Sequence, residues 1–263
     1  MNDYNRLLFE LSSVDRLDIL ELLRKTPLKL SHISRKLNFT VQETSRNVNR
    51  LLESGLVAKN VDGTFSLTSY GEAAFSLLSG FSFLYRNRTY FETHSTSQLP
   101  EPFRRSLGVL DDFELVDDVM LVFHNVETMI KHATDFVWIM SDQILASTLP
   151  DLVDGLQRGM KFSLLMPKTY LPSADVRNLV SNPVFRKASQ QKTLETRFSD
   201  SFNIFLCISE NEVGALAFLN SDGKFDYRGF RTEKTASIEW AKMLFTHYWN
   251  NATSEIPTQI VQP

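Results

Sequence analysis

An α+β N-terminal unit followed by an α/β domain, with a mixed and largely parallel sheet covered by helices, is the fold class this 263-residue sequence predicts. Three observations carry it. Residues 30–67 read as two short helices and a hairpin, residues 103–250 alternate short apolar runs with amphipathic helices, and a polar stretch with two prolines at 94–102 separates the two patterns. An apolar content of 43% over this length leaves room for more than one core.

The elements follow in order. Residues 14–25 carry Val14, Leu17, Ile19, Leu20, Leu22 and Leu23 as a packing helix that Thr26-Pro27 ends. Residues 30–37 form a short amphipathic helix with Ile33 and Leu37 inside, and Asn38-Phe39-Thr40 is a tight break. Thr40 caps a second helix, 41–54, whose spacing puts Val41, Val48, Leu51 and Leu52 inward and Gln42, Glu43, Arg46, Asn49, Arg50 and Glu53 outward. Gly55 stops it. Two short strands, 56–59 and 64–67, are joined through Asp62-Gly63, a dipeptide that tolerates the positive φ of a tight hairpin.

Helix, break, helix and hairpin in this order make a winged helix-turn-helix, a unit whose chemistry is groove readout rather than catalysis. A helix fits the major groove, and short polar side chains with a guanidinium near its N-terminal half reach base edges. Gln42, Ser45 and Arg46, with Asn49 beside them, are therefore the expected base-facing residues, and Arg50, Lys59 and Asn60 the expected phosphate contacts. The expected partner is double-stranded DNA.

Gln42-Glu-Thr-Ser-Arg-Asn-Val-Asn-Arg-Leu-Leu-Glu-Ser-Gly-Leu-Val57, followed by Leu67-Thr-Ser-Tyr-Gly71, resembles the recognition helix and wing of ArsR and MarR-like winged-helix regulators of bacteria and archaea. The resemblance covers roughly residues 10–75. It implies DNA binding and some dimer contact. It brings no metal site, because metal sensors of that type use Cys-rich signatures and this chain has one cysteine, Cys207.

Residues 69–91 read as one long helix rich in Phe75, Leu77, Leu78, Phe81, Phe83, Leu84, Tyr85, Tyr90 and Phe91, more apolar surface than a solvated linker carries. It pairs either with its copy in a homodimer or with the C-terminal domain. The expected organisation is a DNA-binding domain over 1–68, a connecting or dimerisation helix within 69–95, and an α/β effector or interaction domain over 96–263.

In that last domain, residues 113–116 are a short apolar run, 119–132 a helix, 135–140 a buried strand, about 147–158 a helix, and 161–166 a second strand closed by Pro167. Two strands joined by a helix are a βαβ unit and imply a parallel sheet. Strands at 194–198, 203–208 and 213–219 extend it, the last two as a hairpin, and a helix over about 232–250 buries Ile238, Trp240, Leu244, Phe245 and Trp249. Gly159-Met-Lys-Phe-Ser-Leu-Leu-Met-Pro167, Ser221-Asp-Gly-Lys-Phe-Asp-Tyr-Arg-Gly-Phe230, and Trp240-x-x-x-Leu-Phe245 with Tyr248-Trp249 resemble the C-terminal domain of archaeal regulators of methanogenesis. That domain is related to the phospholipase D-like sensor domain of sugar-responsive archaeal regulators. Phospholipase D chemistry requires His-x-Lys, and none of the five histidines is followed by Lys two positions on, so the resemblance is to a non-catalytic version.

Other catalytic signatures are missing too. There is no Gly-x-Ser-x-Gly elbow, phosphate-binding Gly-rich loop or metal-ligand spacing, so no enzymatic activity, metal or cofactor is expected. His124 and His132 share a predicted helix face but read as packed or solvated, and the acidic residues at 111–118 read as a solvated loop or helix start. Ligands of open α/β sheets lie beyond the carboxyl ends of the strands, where Ser141, Asp142 and Lys168 fall; Arg228 and Arg231 add positive charge for an anionic effector.

Charge is divided. Residues 1–95 hold 12 Lys/Arg against 10 Asp/Glu, and residues 96–263 hold 16 against 21, so a nucleic acid meets the N-terminal end, with only a feeble net attraction. A homodimer doubles it. No apolar run of membrane-spanning length and no basic start followed by an apolar segment occurs, so a cytoplasmic protein is expected. A DNA-binding transcription regulator responsive to a small-molecule or protein effector is the leading reading. The others are an enzyme of unknown class with a DNA-binding appendage and a protein-binding adaptor.

Overall fold

A computed structural model describes residues 3–180, 182–200 and 203–257. By its contacts the chain divides into two compact units, residues 1–81 and 82–263.

The first unit opens with a helix the sequence reading did not include, α1 (Asp3–Leu11), followed by α2 (Val14–Lys25), α3 (Leu30–Leu37), α4 (Val41–Glu53), β1 (Val57–Lys59), β2 (Phe65–Leu67) and α5 (Ser69–Ser76). Ile19, Leu20, Leu23, Ile33, Val48, Leu51 and Leu56 are sealed from solvent and make one core. The hairpin pairs Val57 with Leu67 and Lys59 with Phe65, leaving a five-residue loop in which Gly63 alone takes a positive φ (+81°). A third segment joins it, because Leu28 exchanges both backbone hydrogen bonds with Phe65 (3.0 and 2.7 Å). Gly71, in the first turn of α5, lies so close to the hairpin that a Cβ there would sit 2.0 Å from the Leu56 carbonyl oxygen.

The single helix expected over 69–91 is instead α5, α6 (Leu78–Arg86) and α7 (Arg88–Phe91). Hydroxyls of Ser76 and Ser79 donate to the carbonyls of Ala73 and Ser76, and the Asn87 amide donates to the Phe83 carbonyl (2.9 Å). Such side chains compete with the backbone for its acceptors and favour breaks. The joint between units falls within α6 rather than at 94–102. That polar stretch belongs to the second unit, with Leu99 buried and Ser95 bonded through its N–H to the Leu219 carbonyl.

The second unit continues with α8 (Glu101–Arg105), β3 (Glu114–Val116), α9 (Val119–His132), β4 (Phe136–Met140), α10 (Leu149–Gln157), β5 (Lys161–Pro167), α11 (Ala174–Val180), α12 (Pro183–Gln190), β6 (Leu194–Ser199), β7 (Ile204–Ser209), β8 (Val213–Phe218), β9 (Gly229–Thr232) and α13 (Thr235–Asn250). Its seven strands run in the order β3-β9-β8-β7-β4-β5-β6. The sheet is mixed and helix-covered as expected. Its parallel part is β4-β5-β6, and the other four pairings are antiparallel. β9 was not anticipated; it slots between β3 and β8.

Both faces of the central strands are covered, which explains their uninterrupted apolar runs. Ile204, Leu206 and Ile208 of β7 face Trp240, Leu244 and Phe245 of α13, while Phe205 and Cys207 join Val126, Met129 and Leu152 of α9 and α10 on the other side. At the β6 edge, Phe198 and Thr253 exchange backbone hydrogen bonds of 2.7 and 2.9 Å. Among the described residues, no helix is long and apolar enough to cross a membrane.

Candidate nucleic-acid interface

The outer face of α4 is presented by two local devices. Asn38 ends α3 in the left-handed region (φ 56°) with its N–H on the Ser34 carbonyl, and the Ser34 hydroxyl donates to the Phe39 carbonyl at 2.7 Å. Asn tolerates that backbone conformation better than most residues. Thr40 then accepts from the Glu43 N–H (3.2 Å) while the Glu43 carboxylate accepts from the Thr40 N–H (3.1 Å), a reciprocal capping box. That backbone bond, with the one from the Thr40 hydroxyl, holds the Glu43 carboxyl below its ordinary pKa. The turn and the helix start are thus both fixed.

Thr44, Asn47, Val48 and Leu51 form the buried side of α4. Val41, expected inside, is 61% exposed; as the first helical residue it projects past the packing with α3. With Leu30 it adjoins Gln42, Ser45, Arg46, Asn49, Arg50 and Glu53 around a shallow depression of about 680 Å³. Gln42, Arg46 and Asn49 are exposed, Ser45 is half-buried, and their spacing of three to four residues keeps them on one face.

Two expected phosphate contacts are otherwise engaged. Arg50 donates to both carboxylate oxygens of Glu10 on α1, from Nη2 at 2.8 Å and Nε at 3.1 Å, and its guanidinium lies 5.0 Å from the centre of the Phe9 ring. Glu10 is itself buried and also pairs with Arg16 at 3.0 Å. The Arg50 hydrogen bond, followed by the charge of Arg16, lowers the Glu10 pKa against the opposing effect of burial. Arg50 is therefore a tether between α1 and α4. The sequence predicts no helix before Val14, although Leu7 and Leu11 at helical spacing mark an amphipathic segment. Asn60 donates to Thr64 (2.9 Å) and accepts from Ser66 (3.3 Å), closing the hairpin from within. Lys59 is exposed on β1, and among the described residues neither it nor Arg46 forms a salt bridge.

The five candidate ligand residues of the second unit do not converge. Asp142 and Lys168 border a cleft of about 500 Å³ at the carboxyl ends of β4 and β5, where Lys168 pairs with Asp200 (2.7 Å) and Asp142 accepts from the Tyr227 hydroxyl (2.7 Å). Ser141 is buried and donates to the Gln143 carbonyl. Arg228 pairs with Asp226 (2.8 Å) and Asp117 (3.1 Å), and Arg231 with Glu233 (3.0 Å). Both arginines are neutralised, each by a carboxylate two positions away in sequence, and Arg228 also by Asp117. Asp226 also meets the buried imidazole of His94 (3.1 Å), which stacks on Tyr90 at 3.8 Å. Burial raises the Asp226 pKa, but hydrogen bonds from Arg228 and His94 outweigh it and leave the carboxyl below its usual range.

The acidic residues at 111–118 are dispersed into caps and pairs: Asp118 accepts from the Met120 and Leu121 N–H groups at the start of α9, and Asp111 pairs with Arg86. Among the described residues, no three His, Cys, Asp or Glu side chains are grouped to hold a metal ion.

No protein-family model matches the chain, and no curated protein sequence matches it at significance. Among solved structures it is similar to the archaeal chromatin protein TrmBL2, described as showing a novel mode of DNA binding, at 13% identity over 92% of each chain with a TM-score of 0.42. It is also similar to NucT from Helicobacter pylori, at 12% identity and TM-score 0.41, covering 54% of this chain and 96% of that one. A third is the phospholipase D family member Nuc from Salmonella typhimurium, at 12% identity and TM-score 0.39, covering 54% and 95%.

Proposed function

We propose that the protein is a sequence-specific DNA-binding transcription regulator of the ArsR and MarR-like winged-helix type. The observation that supports this best is the outer row of α4: exposed polar side chains and one unpaired arginine, on a helix fixed at its start by a capping box and on its flank by Glu10. Preorganisation of that kind serves base readout, since a helix that needs no reordering gives up less free energy on binding. Gln42, Ser45, Arg46 and Asn49 take the base edges and Lys59 a phosphate. The modest charge of the N-terminal region favours a homodimer that places two such helices on one duplex. The second unit serves as a non-catalytic effector domain, which fits a chain with no His-x-Lys sequence.

The test is a fluorescence-anisotropy titration of the full chain against the segment upstream of its own coding sequence and against random duplex, at two salt concentrations. Arg46→Ala is expected to cost about 1–3 kcal/mol on the preferred duplex and to erase the preference, whereas Lys59→Ala weakens both duplexes alike and lowers the salt slope by about 1. Wild-type protein that binds no duplex, or binds both equally, overturns the reading.

A further inference from the structure

The second unit has an open cleft larger than the one beyond the strand ends. It lies over the β5–β6 side of the sheet, beneath α11 and α12, and measures about 760 Å³, within the range of small-molecule sites. Leu164 and Met166 of β5 with Leu194 and Phe198 of β6 supply an apolar floor, and Val176 and Phe185 line it from α11 and α12. Both charged residues on its lining, Arg177 and Arg186, are cations. They are exposed, and among the described residues neither forms an ion pair. Residues 82–263 hold 18 Lys/Arg against 22 Asp/Glu, so a cleft whose charged lining is wholly cationic runs against the charge of its own unit. The half-buried Tyr170, whose hydroxyl pKa is raised by burial, and Thr196 add neutral polar groups.

We infer that this cleft binds a small amphipathic carboxylate, with its hydrocarbon against Leu164, Met166 and Phe198 and its anionic head on Arg177 and Arg186. Apolar area without the head group, or the head group without apolar area, would use half of what the lining offers. Guanidinium groups suit a carboxylate because their paired N–H donors match its two oxygens. The site is separate from the helix α4 face, so its existence does not depend on the DNA-binding reading. If that reading also holds, the carboxylate is the class of effector it would answer to.

The experiment is isothermal titration of the full chain with decanoate and, in parallel, with decanol, both as free monomers. Decanoate is expected to bind at least tenfold more tightly than decanol. The exposed double variant Arg177→Gln/Arg186→Gln is expected to lose that discrimination while its melting temperature stays put, and Thr196→Trp, which fills the cleft, to lose both ligands. Equal affinity for decanoate and decanol in the wild type overturns the anionic half of the assignment without recourse to any variant. No binding of either ligand, unchanged affinity in Thr196→Trp, or binding only to anionic lipid vesicles overturns the site.

Discussion

Glu10 shows how a single carboxylate can govern a surface it does not belong to. Two arginines from different helices converge on it, Arg16 buried beside it and Arg50 partly open to solvent, so its removal strands the buried Arg16 charge rather than merely deleting one bond. Glu10→Gln is expected to cost about 1–3 kcal/mol of first-unit stability at neutral pH. Because folding lowers this carboxyl's pKa, the contribution is whole above the unfolded value of about 4.3 and is lost as pH falls through the folded one. Urea unfolding of wild type and Glu10→Gln at pH 7 and pH 3 checks this: the gap narrows at low pH, and an equal gap at both contradicts it. Arg50, read from its spacing as a phosphate ligand, is the partner in this contact. No periodicity argument could have found that, since the carboxylate lies forty residues away on a helix of its own.

Elements built from local signals were the legible ones. The Thr40 cap, the break at Asn38-Phe39-Thr40 and the apolar rows of α2 and α4 are statements about near neighbours, and the structure has them where the spacing puts them except at the exposed first residues Val14 and Val41. β9 escaped because Gly229–Thr232 is four residues long and takes its strand character from β3 and β8 on either side. The segmented run from α5 to α7 was read as continuous because its aromatic content outweighs three weak breakers, Ser76, Ser79 and Asn87, whose effect depends on rotamers. The second-unit arginines were legible as residues but not as a site, because whether a guanidinium is free depends on rotamers that turn it onto a carboxylate two positions away, Asp226 for Arg228 and Glu233 for Arg231. The seam between wing and α5 gives the sharpest test at this scale. Gly71→Ala pushes a methyl group into the Leu56 carbonyl, a backbone atom that cannot swing aside, and is expected to lower first-unit stability by about 1–3 kcal/mol in thermal melts. An unchanged melting temperature would mean that α5 shifts freely relative to the hairpin.

Across the whole molecule, a seven-stranded open sheet has two rims, and each rim presents backbone N–H and C=O groups with nothing of their own to bond. The exchange of hydrogen bonds between Phe198 and Thr253 sets part of the chain's own C-terminal region along one rim, and Arg197 reinforces it by donating to the Trp249 carbonyl at 2.9 Å above the indole ring. The segment works as a selvedge. Without residues 252–257 the β6 strand becomes a template that a second molecule can extend, so truncation after Asn251 is expected to turn a stable solution into one that scatters light on warming below the melting temperature. Chain-to-chain growth of this kind needs no unfolding, which makes the segment around Thr253 a guardian of solubility rather than of the fold itself.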